Sequence, residues 1–381
     1  MTWRLPVANL VLTEEDVVAV SSCLSDGWLT MGPRTSAFES AVAEWTTASH
    51  AVAVSSGSAA LHLACRALEL GPEDEVIVPA MTFVATAHAP RYVGARPVLC
   101  DVLSADEPNI DVSDVERRMT RRTRAVIAVH WWGYPAGVDA LRELCDARGV
   151  ALVEDCAQAI GARLEGSGRQ VGTIGRIAAL SFFSKKQLSV GEGGMVLTSE
   201  AMLAERIRLL RSHAMTSTTW DRHHGYDQSY DIVDVGYNFR IDEPRAALGL
   251  SRLPRLAADL AHRRGAVRAY RERLSGTEGV TLMWSDAQVE RASHFAFGVL
   301  FESREARDRV RATLADHGIQ TTRYPALHEL TEYAAAAAPG SLPRAEEAAN
   351  RHLVLPLSSH IRGEDIDLVA ETVRRALQRH A

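Results

Sequence analysis

Between Val52 and Met195 short apolar runs alternate with longer stretches of helical period, and this alternation restricts the chain to few architectures. Val52 to Val54, Glu75 to Val78, Pro97 to Val102, Ala125 to Val129, Ala151 to Val153 and Ile177 to Phe183 are expected as buried strands, with helices between them. Strands separated by helices imply right-handed crossovers and a mostly parallel central sheet covered on both faces, an α/β fold. Ligands of such sheets bind beyond the carboxyl ends of the strands.

Before this core, Thr13 to Leu24 is expected as a helix capped by Thr13, and Ser25 to Pro33 as a turn-rich loop. After Leu250 the texture changes. An arginine-rich helix (Ser251 to Leu274), short strands at Val280 to Trp284 and His294 to Phe301, and helices near Glu305 to Asp316 and Gly363 to Gln378 are expected. We therefore divide the chain into 1–250, an N-terminal arm with a large α/β domain, and 251–381, a smaller C-terminal α+β domain. The alanine run 334–338 is expected as a local helix end rather than a linker.

Composition narrows the class. In 381 residues, 46% hydrophobic and 24% charged with a formal net charge of -6, the balance is that of a soluble globular enzyme and speaks against a nucleic-acid groove. The five cysteines are spread out without C-x-x-C spacing, so neither disulfides nor a zinc site is expected and a reducing cytoplasm fits. Acidic Glu14, Glu15 and Asp16 precede any long apolar stretch, so neither export nor membrane spanning is expected. Only two of the 42 basic residues are lysines, the adjacent pair Lys185 and Lys186. Codon usage explains a preference for arginine; it does not explain why two lysines survive side by side.

Three motifs carry chemistry. Ser55-Ser56-Gly57-Ser58-Ala59-Ala60 joins an apolar strand to a helical stretch, so free backbone N–H groups and a helix dipole could receive a phosphate; an ordinary serine cap reads equally well. Asp155, in Val153-Glu154-Asp155-Cys156-Ala157-Gln158, stands at a strand's carboxyl end, where a carboxylate could hold a protonated ring nitrogen or simply be solvated. No metal is expected there, because adjacent Glu154 should face the other way. Ser181-Phe182-Phe183-Ser184-Lys185-Lys186 delivers a lysine into a glycine-rich turn, Gly191-Glu192-Gly193-Gly194. A lysine in a partly dry site can lose its proton and form a Schiff base, which arginine cannot. Anchor, acid and amine together are what pyridoxal phosphate (PLP) requires.

With Pro79 to Ala87 (PAMTFVATA), Val129 to Pro135 (VHWWGYP) and Gly236 to Gly249 (GYNFRIDEPRAALG), these segments resemble the DegT/DnrJ/EryC1/StrS family of sugar aminotransferases over nearly the whole chain. The resemblance implies a fold-type I PLP enzyme acting as a homodimer. It implies Lys186, five residues after Ser181, as the Schiff-base lysine; in an extended segment Lys185 would point the opposite way. It further implies Asp155 on the pyridinium N–H, Gln158 near the ring's phenolic oxygen and Phe83 stacked on the ring. Gly57, Ser58 and Ala59 with the Ser181 hydroxyl would hold the phosphate, and Asn238 would reach the phosphate of the other subunit's cofactor. His328 matches a position near the substrate sugar or its pyrophosphate. His130 and His213 read as structural, His88 has no assigned role, and Trp220 to Tyr230 resembles a substrate-side loop or a surface element.

The implied activity is a ping-pong transamination. Glutamate or glutamine passes nitrogen to PLP, and the resulting pyridoxamine phosphate aminates a keto group, at C4 in the commonest case, of a dTDP-linked deoxysugar. C3 amination, a keto-pentose substrate and a non-catalytic PLP or sugar sensor stay open. A sugar dehydratase of the family would need histidine in place of the lysine, or a cysteine cluster, and a dinucleotide dehydrogenase would need G-x-G-x-x-G; the sequence has neither.

Overall fold

The computed structural model describes residues 3–338 and 340–378. Seven strands, β1 (His50–Val54), β2 (Glu75–Pro79), β3 (Arg96–Cys100), β4 (Thr123–Val129), β5 (Ala151–Asp155), β6 (Ile177–Ser181) and β7 (Gly194–Thr198), form one sheet in the order β1-β7-β6-β5-β4-β2-β3. All pairs are parallel except those of β7, which runs antiparallel to both β1 and β6. The sequence reading did not anticipate β7 as a strand. A glycine-rich turn rather than a helix joins it to β6, and a chain that turns back without a crossover can only pair antiparallel. The carboxyl ends of β1, β4, β5 and β6 consequently share one edge of the sheet.

Four N-terminal helices matter for the site: α1 (Glu14–Ser25), α2 (Pro33–Thr46), α3 (Gly57–Ala67) and α4 (Ala85–Tyr92). α3 is buried almost all round, and its small residues Ala59, Ala60 and Ala64 let it lie close on the sheet. α1 and α2 are tied to the helix Glu243–Arg252 by buried acids. Asp16 accepts from Arg255 Nη2 at 2.6 Å and Ser251 Oγ at 2.8 Å. The Glu243 carboxylate caps α2 by accepting N–H bonds from Gly32, Arg34 and Thr35 at 2.9, 2.8 and 2.8 Å.

A second sheet, β8 (Val280–Leu282), β9 (Phe297–Phe301) and β10 (His352–Leu355), is antiparallel in the order β10-β9-β8 and is covered by the helices Arg304–Asp316 and Gly363–Gln378. One apolar core runs through both sheets, with Trp132 packed against Trp284 and His352. Several expected boundaries shift. The arginine-rich helix starts at Leu256 because a 3-10 turn, Leu253–Arg255, built around Pro254, separates it from Glu243–Arg252. The strands expected at 280–284 and 294–301 shorten because Trp284 and His294 adopt left-handed φ of 56° and 51°. Ala334 and Ala335 form a turn after the 3-10 helix Thr331–Tyr333; Pro339 lies outside the described residues. Among the described residues no helix is long and apolar enough to cross a membrane.

Candidate active site

β1 leads through Ser55 into Ser56, the extended N-cap of α3, whose Oγ accepts the Ala59 N–H at 3.1 Å. The amides of Gly57 and Ser58 have no protein acceptor among the described residues, so the helix opens on two free donors. Gly57 cannot carry a side chain without adjustment, since a Cβ there would lie 2.8 Å from Ser181 Cβ. That close approach seats the end of β6, with the Ser181 hydroxyl, on the N-terminus of α3. Of the expected phosphate anchors, Gly57, Ser58 and Ser181 line one cavity of about 330 Å³. Ala59 does not line it, and its amide is already bonded to Ser56.

Asp155 closes β5 and faces the same cavity. Thr86 Oγ1 donates to its Oδ2 at 2.7 Å and the Ala157 N–H to its Oδ1 at 3.1 Å. Burial pushes the Asp155 pKa up, against the pull of these two bonds and of the Lys186 charge. Neighbouring Glu154 faces the opposite side of the sheet, as the alternation of an extended chain requires. It accepts from His130 Nε2 at 3.0 Å and from the amides of Gly172, Ile174 and Gly175. His130 Nδ1 accepts the Ala136 N–H at 3.0 Å. His130, Glu154 and Cys156 have metal-compatible spacing, but the imidazole and the carboxylate already bind protein groups on every ring nitrogen and carboxylate oxygen. Gln158 lines the cavity with its Oε1 held by the Trp132 N–H at 2.9 Å, leaving its NH₂ as the end without a protein acceptor.

After Ser181 the chain does not stay extended. The Lys186 N–H donates to Phe183 O at 2.8 Å, a tight turn. The expectation that the two lysines point oppositely is therefore corrected: in a turn successive side chains do not alternate, and both line the cavity. Lys186 is half-buried with Nζ 4.4 Å from the Phe295 ring centroid. Burial pulls its pKa down to about 8, opposed by the Asp155 charge. Phe83, 59% exposed, forms another wall. A primary amine near neutrality, a buried carboxylate and two free helix amides in one cavity make up a site for an anionic carbonyl compound.

Residues 11–374 match the DegT/DnrJ/EryC1/StrS aminotransferase family. The chain belongs to that family. Over 388 aligned positions this aminotransferase is 38% identical to the dTDP-3-amino-3,4,6-trideoxy-alpha-D-glucose transaminase of Streptomyces venezuelae, covering 99% of this chain and 97% of that protein. It is 34% identical to the dTDP-4-dehydro-2,3,6-trideoxy-D-glucose 4-aminotransferase of Saccharopolyspora spinosa, covering 97% and 96%. Its fold superposes on Spr1654 of Streptococcus pneumoniae, solved in a PLP-form, with a TM-score of 0.89 and 27% identity across the whole of both chains.

Besides Ala59, two more expected residues lie apart from the cavity of this aminotransferase chain. Asn238 is exposed beside Ser212, and His328 approaches Glu346 at 3.3 Å. His88 stacks on Tyr333, with ring centroids 5.8 Å apart, and His213 is exposed. Trp220 in the 220–230 segment packs edge-on against Trp28, with centroids 4.9 Å apart. The sequence reading missed Thr86, Phe295 and Tyr324. Thr86 stands in the first turn of α4 and meets the Oγ1 of Thr82, which precedes that helix, at 2.7 Å; a Thr-x-x-x-Thr spacing around Phe83 was its available signal. Phe295 and Tyr324 come from the C-terminal part of the chain and left no local signal.

Proposed function

We propose that this aminotransferase holds PLP through Lys186 and transfers an amino group from glutamate or glutamine to a keto group of a nucleotide-linked deoxysugar. The observation that carries the reading is Lys186 in one cavity with Asp155, Ser181 and the open amides of Gly57 and Ser58. These residues fit the cofactor: the free amides of Gly57 and Ser58 beside the Ser181 hydroxyl would take the phosphate, Asp155 the ring nitrogen, Gln158 the phenolic oxygen and Phe83 the ring face. When bound, PLP supplies an aldehyde carbon that takes up the amino group and a protonated ring that spreads negative charge.

The chain's own residues do the rest. Asp155 keeps a proton on the ring nitrogen, with Thr86 holding its carboxylate in line. Lys186 Nζ, its ammonium disfavoured by burial, would take the proton from the substrate carbon and deliver it to the cofactor carbon that bears the amino nitrogen. Donor and acceptor meet this lysine in turn. The amides of Gly57 and Ser58 and the Ser181 hydroxyl would hold the phosphate.

Amination at C4 of a dTDP-linked sugar is the favoured reading, and C3 the second, favoured by the name of the 38% identical relative. Incubating the purified protein with glutamate or glutamine and a panel of C3- and C4-keto nucleotide sugars, hexose and pentose, tests both; amination of none despite bound PLP ends the assignment. We further read the enzyme as a homodimer in which Asn238 serves the partner's site. The exposed apolar residues Ile232, Val233 and Val235, in the segment that runs up to Asn238, support this. We take the large domain to end near 250 and the small one to begin at 251, and place the enzyme in the cytoplasm, where five buried free cysteines stay reduced.

A further inference from the structure

Lys185 has no function in the account above, although it is one of only two lysines and lines the same cavity as Lys186. Among the described residues its exposed side chain makes neither an ion pair nor a hydrogen bond. Many of the arginines pair with carboxylates, as Arg211 does with Glu39 at 2.5 Å and Arg344 with Asp111 at 2.7 Å. Behind Lys185 a small recess is lined by Lys185, Lys186, Arg252 and Arg263, with no Asp or Glu in its lining. Arg263 is only 4% exposed, and its hydrogen bonds go to Ser359 Oγ and His294 O rather than to a carboxylate. Arg252 is paired with the buried Asp16 at 3.2 Å, so Lys185 and Arg263 are the cations of this recess without a carboxylate partner among the described residues, and Lys185 stands one residue from the Schiff-base lysine.

We infer that Lys185 binds the carboxylate of the amino-acid donor. The inference deepens the aminotransferase reading and rests on it. The donor's carboxylate is bonded to the carbon that Lys186 must deprotonate, and consecutive Cα atoms lie about 3.8 Å apart, so neighbouring lysines can serve neighbouring groups. The acceptor's pyrophosphate is separated from the reacting carbon by the sugar ring. Glu192, an exposed acid on the same cavity wall, supports the choice. A single carboxylate beside Lys185 meets less repulsion from Glu192 than a pyrophosphate, which carries more negative charge. Lysine suits a carboxylate that must arrive and leave each cycle, since its point charge imposes no bidentate geometry.

The test uses the PLP-loaded enzyme and its Lys185→Gln and Lys185→Arg variants. Glutarate, a dicarboxylate with no amino group, is titrated by calorimetry, and the donor and keto-sugar half-reactions are followed separately by rapid mixing. Lys185→Gln is expected to weaken glutarate binding and raise the donor's KM about tenfold, the size of one charged hydrogen bond. Lys185→Arg should recover most of both, and the keto-sugar half-reaction should keep its KM. Unchanged glutarate affinity overturns the inference, and so does a loss confined to the keto-sugar half-reaction, which would place the pyrophosphate at Lys185. If no keto-sugar is aminated yet glutarate binding depends on Lys185, the sugar reading fails and the carboxylate site stands.

Discussion

Thr86 Oγ1 donates a 2.7 Å hydrogen bond to Asp155 Oδ2, joining α4 to the carboxyl end of β5 at the floor of the cavity. The bond favours the charged carboxylate and opposes the burial that favours the neutral one. Thr86→Val, which keeps the shape and removes the hydroxyl, should let Asp155 take its proton at higher pH and cost about 1–3 kcal/mol of stability. Carboxyl NMR across a pH series and thermal unfolding read the two effects, and Thr86→Ser should restore both.

The lysine pair separates spectroscopically. Lys186→Ala should abolish the visible absorption of the lysine-bound cofactor, while Lys185→Ala should retain the band. The reverse result would mean that the assignment of Lys186 is off by one residue.

The low pKa of Lys186 also has a stability signature in the cofactor-free protein. Its folded value, about 8, lies below its ordinary 10.5, so between these values the unfolded chain binds more protons and stability rises with pH. Below pH 8 the full penalty of burying the ammonium is present. Lys186→Met should therefore stabilise the apoprotein at pH 7, on the order of 1 kcal/mol or more, and this gain should shrink towards pH 10.5. Urea unfolding across that range would show it, and a pH-independent difference would contradict it.

Gly57→Ala places a Cβ 2.8 Å from Ser181 Cβ, where two backbone segments meet. We expect a loss of about 1–3 kcal/mol from overpacking and a weaker grip on phosphate. Melting temperatures with and without PLP should both fall, and the rise produced by PLP should be smaller than in the unsubstituted enzyme.

Asn238 is exposed and absent from its own chain's cavity. If it serves the partner's site, Asn238→Ala and Lys186→Ala homodimers are each impaired, yet a mixed dimer carries one complete site. Mixing the two variants under subunit exchange should restore activity towards about a quarter of the unsubstituted level, the expected mixture of one intact site in half of the dimers. Absence of recovery in verified mixed dimers would return Asn238 to a local role.

How much of this was legible beforehand follows from the range of the interactions involved. The Ser56 cap and open amides of Gly57 and Ser58 depend on a strand running directly into a helix, which a dozen consecutive residues specify. Asp155 was readable because β5 ends there, and the opposite facing of Glu154 because an extended chain alternates. The strand through Phe183 was misjudged: its apolar residues continue past Ser181, but the ladder stops where the chain turns back to form β7.

By itself the sequence determined the alternation of strands and helices up to β6, the anion-ready end of α3, the acid at the end of β5 and the adjacent lysine pair, because each is a property of contiguous residues. The tertiary structure alone decided that Lys185 shares the cavity with Lys186, that Thr86 holds Asp155, that Phe295 and Tyr324 wall the site, and that Asn238 and His328 stand outside it. Those relationships depend on a turn and on contacts between segments far apart in the chain. Distance in space between such segments is set by how the two sheets and their helices pack, which no local pattern of residues encodes.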